Sequence, residues 1–167
     1  KMYPVKVINN GINTSLFKPT KSNIREKYGI SKNTIVVLGV ASVWDKRKGL
    51  EDFEQLSDIL NEKYKIVLIG LSKKQIKKIP NSIIGIERTE NIQELVSWYS
   101  LADVYVNPTY EDNYPTTNIE AISCGTPVIT YNTGGSSEIV KRFGGSVIYN
   151  KNARAIAEAI NHTIMLN

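Results

Sequence analysis

The sequence predicts a doubly wound α/β domain, a parallel sheet of about six strands with helices on both faces. Three observations carry this prediction. Short β-branched runs alternate with segments of helical spacing along most of the chain. Several of the runs are apolar at consecutive rather than alternate positions, as strands buried on both faces must be. The connections are short and often contain glycine, and right-handed crossovers between parallel strands then fix the winding.

Taken in order, residues 1–30 read as a lead-in, with Val5–Ile8 a short strand, Asn9-Asn10-Gly11 a turn and Asn23–Tyr28 a helix. Residues 31–167 hold the repeating unit. Its strands are Thr34–Ala41, Lys65–Gly70, Ile83–Ile86, Asp103–Asn107, Pro127–Tyr131 and Ser146–Tyr149, all rich in Val, Ile, Thr or Tyr. Leu50–Asn61 sets Leu50, Phe53, Leu56, Ile59 and Leu60 on one helical face. Ile92–Leu101 does the same with Ile92, Leu95, Val96 and Tyr99, and Ala153–Leu166 with Ile156, Ala159, Ile160 and Ile164. Further helices fall near 117–124 and 135–143, the second capped by Ser136 or Ser137. The expected strand order is 3-2-1-4-5-6, a Rossmann-like winding. Ligands of such sheets sit beyond the carboxyl ends of the strands where the order reverses, so the loops at 42–49 and 108–117 are the place for a site.

Composition narrows the partners. The 167 residues carry 21 Lys and Arg against 16 Asp and Glu, a net charge of +5 that favours anionic ligands without naming one. The basic residues gather at Lys46, Arg47 and Lys48 and at Lys73, Lys74, Lys77 and Lys78. Neither cluster has the aromatic interleaving that stacks bases, which argues against nucleic acid. Among the second group, Ile76 and Ile79 suggest an apolar edge by which a basic, non-catalytic module would meet an anionic membrane or a protein. One cysteine, Cys124, and one histidine, His162, support neither a disulfide nor structural zinc. Cys124 reads as a small buried thiol. The longest apolar run, Ile35–Ala41, is seven residues, against about 20 for a bilayer span. Without an export signal the expected compartment is the cytoplasm. The chain opens on Lys1 rather than methionine, as a piece of a longer protein would.

Three loops carry the chemistry. After the first strand, Ser42-Val43-Trp44-Asp45-Lys46-Arg47-Lys48-Gly49 brings three cations to a helix start, where they oppose the helix dipole unless an anion stands between them and the free N–H groups. After the fourth, Asn107-Pro108-Thr109-Tyr110-Glu111-Asp112-Asn113-Tyr114-Pro115-Thr116-Thr117 offers acids, hydroxyls and backbone amides suited to a polyhydroxylated, phosphorylated ligand. Glu120 comes in the first turns of the next helix, eight positions beyond Asp112. Taken singly, Glu120 is equally a dipole partner and Asp112 equally a cap. After the fifth strand, Gly134-Gly135 lets the chain turn tightly and approach a ligand. There is no G-x-G-x-x-G after the first strand, no G-x-x-x-x-G-K-[ST] and no G-x-S-x-G, so these phosphate loops and the hydrolase elbow are not indicated.

In combination these segments resemble the C-terminal, donor-binding domain of a retaining GT-B glycosyltransferase of family 4, the glycosyl transferases group 1. Val7–Asn13 with Phe17-Lys18-Pro19 is similar to the stretch after the interdomain hinge, and Lys48-Gly49-Leu50 to the phosphate-binding turn. Asp112–Val128 is similar to the acid-x7-acid motif with its helix and strand, and Thr133-Gly134-Gly135 with Glu138 to the last segment. The resemblance implies that Lys48 holds the donor diphosphate, Glu120 the ribose, and Asp112 with the stretch Asn113, Tyr114, Pro115 and Thr116 and its free amides, continuing to Thr117, the transferred sugar. Arg88 and Thr89, beside Glu87, would border the base. The family usually has glutamate at the position of Asp112, with Glu111 offset by one here, and arginine where Ser42 stands, so Arg47 or Lys46 would supply the second cation. The resemblance further implies a nucleotide-diphosphate sugar as substrate, no metal or other cofactor, a glycan or lipid-linked acceptor, an acceptor-binding N-terminal domain outside this chain, and peripheral contact with the inner face of a membrane. The fragment alone would bind but not transfer.

Overall fold

The computed structural model describes residues 3–166. Six parallel strands form one sheet in the order β3-β2-β1-β4-β5-β6, as the sequence predicts. They are β1 Ile35–Val40, β2 Tyr64–Ile69, β3 Ile83–Ile86, β4 Val104–Asn107, β5 Val128–Tyr131 and β6 Ser146–Ile148. The helices are α1 Ile24–Lys27, α2 Leu50–Ile59, α3 Lys73–Ile76, α4 Ile92–Leu101, α5 Thr116–Ser123, α6 Gly134–Phe143 and α7 Ala153–Leu166, with a 3-10 turn at Lys46–Lys48.

Successive strand residues feed opposite faces, the period-two rule of a pleated strand. Val37, Ile66 and Leu68 join Phe53 and Leu56 of α2 and Ile156 and Ile160 of α7 in one core layer. Val36, Leu38 and Val67 join Trp98 and Tyr99 of α4, Ala121 of α5 and Val140 of α6 in the other. Each fully buried Leu, Phe or Ile in these layers contributes about 1.5–3 kcal/mol of transfer free energy. Phe17, Ile24 and Ile30 belong to the second layer, so the lead-in is fastened to the sheet through them.

Several expectations need correction. Val5–Ile8 is not a strand: Val5, Val7 and Ile8 are exposed, and β-branched residues without a neighbouring strand have no ladder to join. The turn falls not at Asn9–Gly11 but after Asn13, whose carbonyl accepts the N–H groups of Leu16 and Phe17. Neither Ser136 nor Ser137 caps α6. The helix starts at Gly134 with Thr133 in the N-cap position, and Ser136 is buried inside it. A helix not anticipated from the pattern, α3, is nucleated by a capping box between Ser72 and Gln75. It turns Ile79 into the core and Ile76 against it, so Lys73–Lys78 lacks the apolar edge that a membrane-docking module would need. No helix of the described residues is long and apolar enough to cross a membrane.

Candidate functional site

At the switch between β1 and β4 two loops are stitched together. The Tyr110 N–H donates to the Arg47 carbonyl at 2.8 Å. Gly49 makes this approach feasible: its φ is +78°, and a Cβ there would stand 2.4 Å from the Pro108 carbonyl oxygen. The three cations do not sit on the α2 N-terminus as expected. They form their own 3-10 turn, capped by Asp45, which accepts from the Lys48 N–H at 2.9 Å, while Glu51 and Asp52 occupy the first turn of α2.

Lys48 points across the switch to Asp112, and its Nζ lies 2.5 Å from Oδ2, with both side chains mostly buried. The pair lines a hollow of about 270 Å³ together with Asn10, Ser42, Trp44, Asn107 and the stretch Tyr114–Thr117. The α5 N-terminus opens at this hollow, because Pro115 starts the helix without a side-chain cap and leaves first-turn N–H groups for a ligand. Of the two neighbouring acids, Asp112 is the one that meets Lys48. Glu111 lines the outer side of the same ridge, and so does Arg47. Asn113 borders the hollow between them.

Glu120 stands one helical turn beyond Thr116 and outside the lining of that hollow. Its Oε2 accepts the Tyr99 hydroxyl at 2.8 Å. Burial raises its carboxyl above the usual range, and the hydroxyls of Tyr99 and Thr116 offset part of that rise. An adjoining hollow of about 540 Å³ shares Ser42 and Trp44 with the first and extends to Gly70, Leu71, Glu87 and Arg88. Thr89, half-buried in the turn after β3, is not in its lining.

The sequence reading missed the groups that hold these loops in place. Asn118 and Asn107 are buried and paired at 2.8 Å, Asn118 donates to the Ser136 hydroxyl at 2.9 Å, and the Thr130 hydroxyl donates to the Asn107 carbonyl at 2.8 Å. One polar network therefore ties β4, α5, β5 and α6 beneath the site. A polar residue on the sheet-facing side of α5, in phase with Ala121, was the available signal. Trp44, to which the sequence assigned no role, forms the wall between the two hollows and donates to the Ile69 carbonyl at 2.9 Å. Gly134-Gly135 approaches not a ligand but the 112–114 loop: a Cβ on Gly135 would fall 1.8 Å from the Asn113 carbonyl oxygen. Cys124 is a free, buried thiol, as expected, and burial raises it. Among the described residues no three His, Cys, Asp or Glu side chains gather to hold a metal ion.

A doubly wound parallel sheet with a cation, a carboxylate and an open helix N-terminus at its switch point defines a Rossmann-like binding domain of the kind that forms one half of a GT-B glycosyltransferase. The chain belongs to the glycosyl transferases group 1 family, whose sequence model matches residues 20–166. It is 31% identical over 142 residues to an alpha-galactosylglucosyldiacylglycerol synthase of Streptococcus pneumoniae, across 75% of this chain and 37% of that protein. Among solved structures, the sucrose-phosphate synthase of Thermosynechococcus elongatus superposes with a TM-score of 0.79 at 26% identity, over 93% of this chain and 42% of that one. HepE of Anabaena, solved in complex with UDP-glucose, superposes with a TM-score of 0.80 at 21% identity, over 95% of this chain and 47% of that one, a likeness of fold. The chain thus spans less than half the length of these relatives.

Proposed function

We propose that the chain is the donor-binding half of a retaining glycosyltransferase, which moves a hexosyl group from a nucleotide-diphosphate sugar to a glycan or lipid-linked acceptor. The observation that carries this reading is the meeting of Lys48 and Asp112 beneath the open N-terminus of α5. Glycosyl transfer leaves negative charge on the departing diphosphate. A fixed ammonium and unpaired helix N–H groups aimed at that charge stabilise it without a metal. Before the donor arrives, Asp112 holds Lys48 in place. With the diphosphate present, Lys48 turns to it, Asp112 accepts hydroxyls of the transferred sugar, and the amide N–H groups of Asn113, Tyr114 and Thr116 donate to its oxygens.

In the same reading Glu120 receives the ribose hydroxyls from behind Thr116, and the base lies in the adjoining hollow against Gly70, Leu71 and Arg88. Arg47, on the outer side of the ridge, would have to swing inward to act as a second cation beside Ser42. HepE's complex with UDP-glucose, and the group 1 membership, support a nucleotide sugar as donor. The acceptor-binding N-terminal domain lies outside this chain, so the fragment binds donor and does not transfer. A cytoplasmic enzyme in peripheral contact with a membrane is consistent with this reading.

Calorimetry with UDP and with GDP tests it on the chain itself. Wild type binds one or the other, and Lys48→Ala and Glu120→Gln both lose affinity. Equal heats for all three proteins would overturn the assignment.

A further inference from the structure

A second hollow is larger than the one beneath α5. It measures about 690 Å³ and lies at the same end of the sheet, between the α2 start, the loop after β4 and the segment that enters α7. Only the ridge of Arg47 and Glu111 separates it from the Lys48–Asp112 pair, since both residues also line a smaller hollow that holds that pair. Its charges balance: Lys46, Arg47 and Lys151 face Glu51, Asp52 and Glu111. An anion would meet three carboxylates there, and a cation would meet three cations. A neutral molecule dense in hydroxyls can donate to one set and accept from the other.

Its floor is built for such a molecule. Tyr110 presents a ring at 39% exposure, backed edge-on by Tyr131 at 5.3 Å. The Lys151 ammonium stands over the Tyr110 ring at 5.6 Å, a contact worth about 0.5–1 kcal/mol at an exposed site and easily displaced by the C–H face of a pyranose. Asp52 is buried in the floor and accepts the Tyr110 hydroxyl at 3.3 Å, a long bond that leaves most of its acceptor capacity unused. Behind it the fully buried Tyr131 hydroxyl faces the Asp52 carboxylate and the Tyr110 hydroxyl and backs the floor from below. Gln55 adds an exposed amide. Asn152 caps α7 through its carbonyl oxygen, at 2.9 Å from the Ala155 nitrogen, which keeps its amide N–H groups as donors.

We propose that this hollow is a second saccharide site, which holds neutral sugar residues of a glycan chain beside the donor pocket. Its existence as a binding site stands apart from the donor assignment and is tested separately. The probes are methyl α-D-glucopyranoside, methyl α-D-galactopyranoside and inorganic phosphate, titrated into the 15N-labelled chain. At least one glycoside produces saturable shifts at the amides of Gln55, Tyr110 and Asn152, and phosphate produces none there. Gln55→Ala, on an exposed helix face where folding is not at stake, and Tyr110→Ala each weaken the glycoside shifts by about tenfold and leave UDP-induced shifts at Ser42 and Thr116 unchanged. Absence of shifts in this hollow with both glycosides, glycoside shifts insensitive to both substitutions, or phosphate shifts at the same amides would overturn the proposal.

Discussion

Lys48 and Asp112, 64 residues apart in the chain, form the tightest ion pair between the two loops of the switch point, at 2.5 Å. With side-chain exposures of 24% and 14%, the pair is shielded enough that neither charge is well solvated on its own. Under the proposed function, this carboxylate holds the cation until an incoming diphosphate replaces it.

Lys48→Ala leaves the Asp112 carboxylate in its shielded place without a partner. The expected cost is about 1–3 kcal/mol of stability, read as a lower urea midpoint with an unchanged slope. Binding of UDP or GDP falls by about tenfold or more, as expected for one charged hydrogen bond. Asp112→Asn frees the ammonium without burying a charge, so it weakens nucleotide binding far less than Lys48→Ala. Calorimetry on the two variants separates a phosphate-binding lysine from a merely structural pair.

The backbone approach that brings these loops together depends on two glycines. Gly49→Ala would put a Cβ 2.4 Å from a backbone oxygen at a φ of +78°, and Gly135→Ala would put one 1.8 Å from the Asn113 carbonyl oxygen. Neither obstacle is a flexible side-chain end, so the loop itself must move. Each substitution is expected to cost about 1–3 kcal/mol, the scale of a strained backbone position. Gly11→Ala, with nothing within 4 Å of its added Cβ, is the control and should be near neutral. Thermal unfolding of the three variants checks the order.

The strand order and all the α-helices but α3 were legible because continuous apolar runs and period-3.6 patterns report burial directly, and in a parallel sheet burial nearly dictates topology. Ile92–Leu101 and Ala153–Leu166 match their predicted bounds for that reason. What the pattern does not report is pairing. Val5–Ile8 has the composition of a strand and no neighbour to bond, and Ser136 has the chemistry of a cap but sits inside a helix, bound to Asn118. Likewise the lysine-rich stretch at 73–78 reads as a charged surface, and only the capping box at Ser72 shows that Ile79 must turn inward. The acid and basic loops were legible as candidate sites because their residues are too polar for a core. The spacing to Glu120 favoured Asp112 over Glu111, but that Asp112 is the acid that meets Lys48 is decided by which way one residue of a loop points, which composition does not encode.

Asn118 should be the most sensitive polar position outside the hollows. Asn118→Leu is close in size yet strands the buried Asn107 amide without its partner, whereas the Ser136 hydroxyl keeps the Thr130 hydroxyl. The expected loss is about 1–3 kcal/mol, the cost of one unsatisfied buried amide. Because Asn107 lines the hollow, the variant should also lose nucleotide affinity while still folded. In a double-mutant cycle, Asn118→Leu with Ser136→Ala should cost less than the sum of the two single changes.

Two carboxylates on neighbouring helices respond to pH with opposite signs. Burial alone would raise Glu94, but the Glu90 N–H at 2.6 Å, Lys27 and the Tyr28 hydroxyl outweigh it and leave the group below its ordinary value. Its contribution to stability is therefore present above the unfolded-state pKa and is lost as pH falls through the folded value. Glu120 is the reverse: burial raises it, so the folded state binds its proton more tightly than the unfolded state, and ionising it costs stability as pH rises from the unfolded to the folded value. Glu94→Gln should lower the melting temperature at pH 7 and converge on wild type in acid. Glu120→Gln should raise it at pH 7, converge in acid, and weaken nucleotide binding. Melting curves from pH 4 to 8 beside calorimetry decide whether Glu120 trades stability for binding. If Glu120→Gln is less stable than wild type at neutral pH, with nucleotide affinity unchanged, Glu120 is a structural partner of Tyr99 and not a ribose ligand.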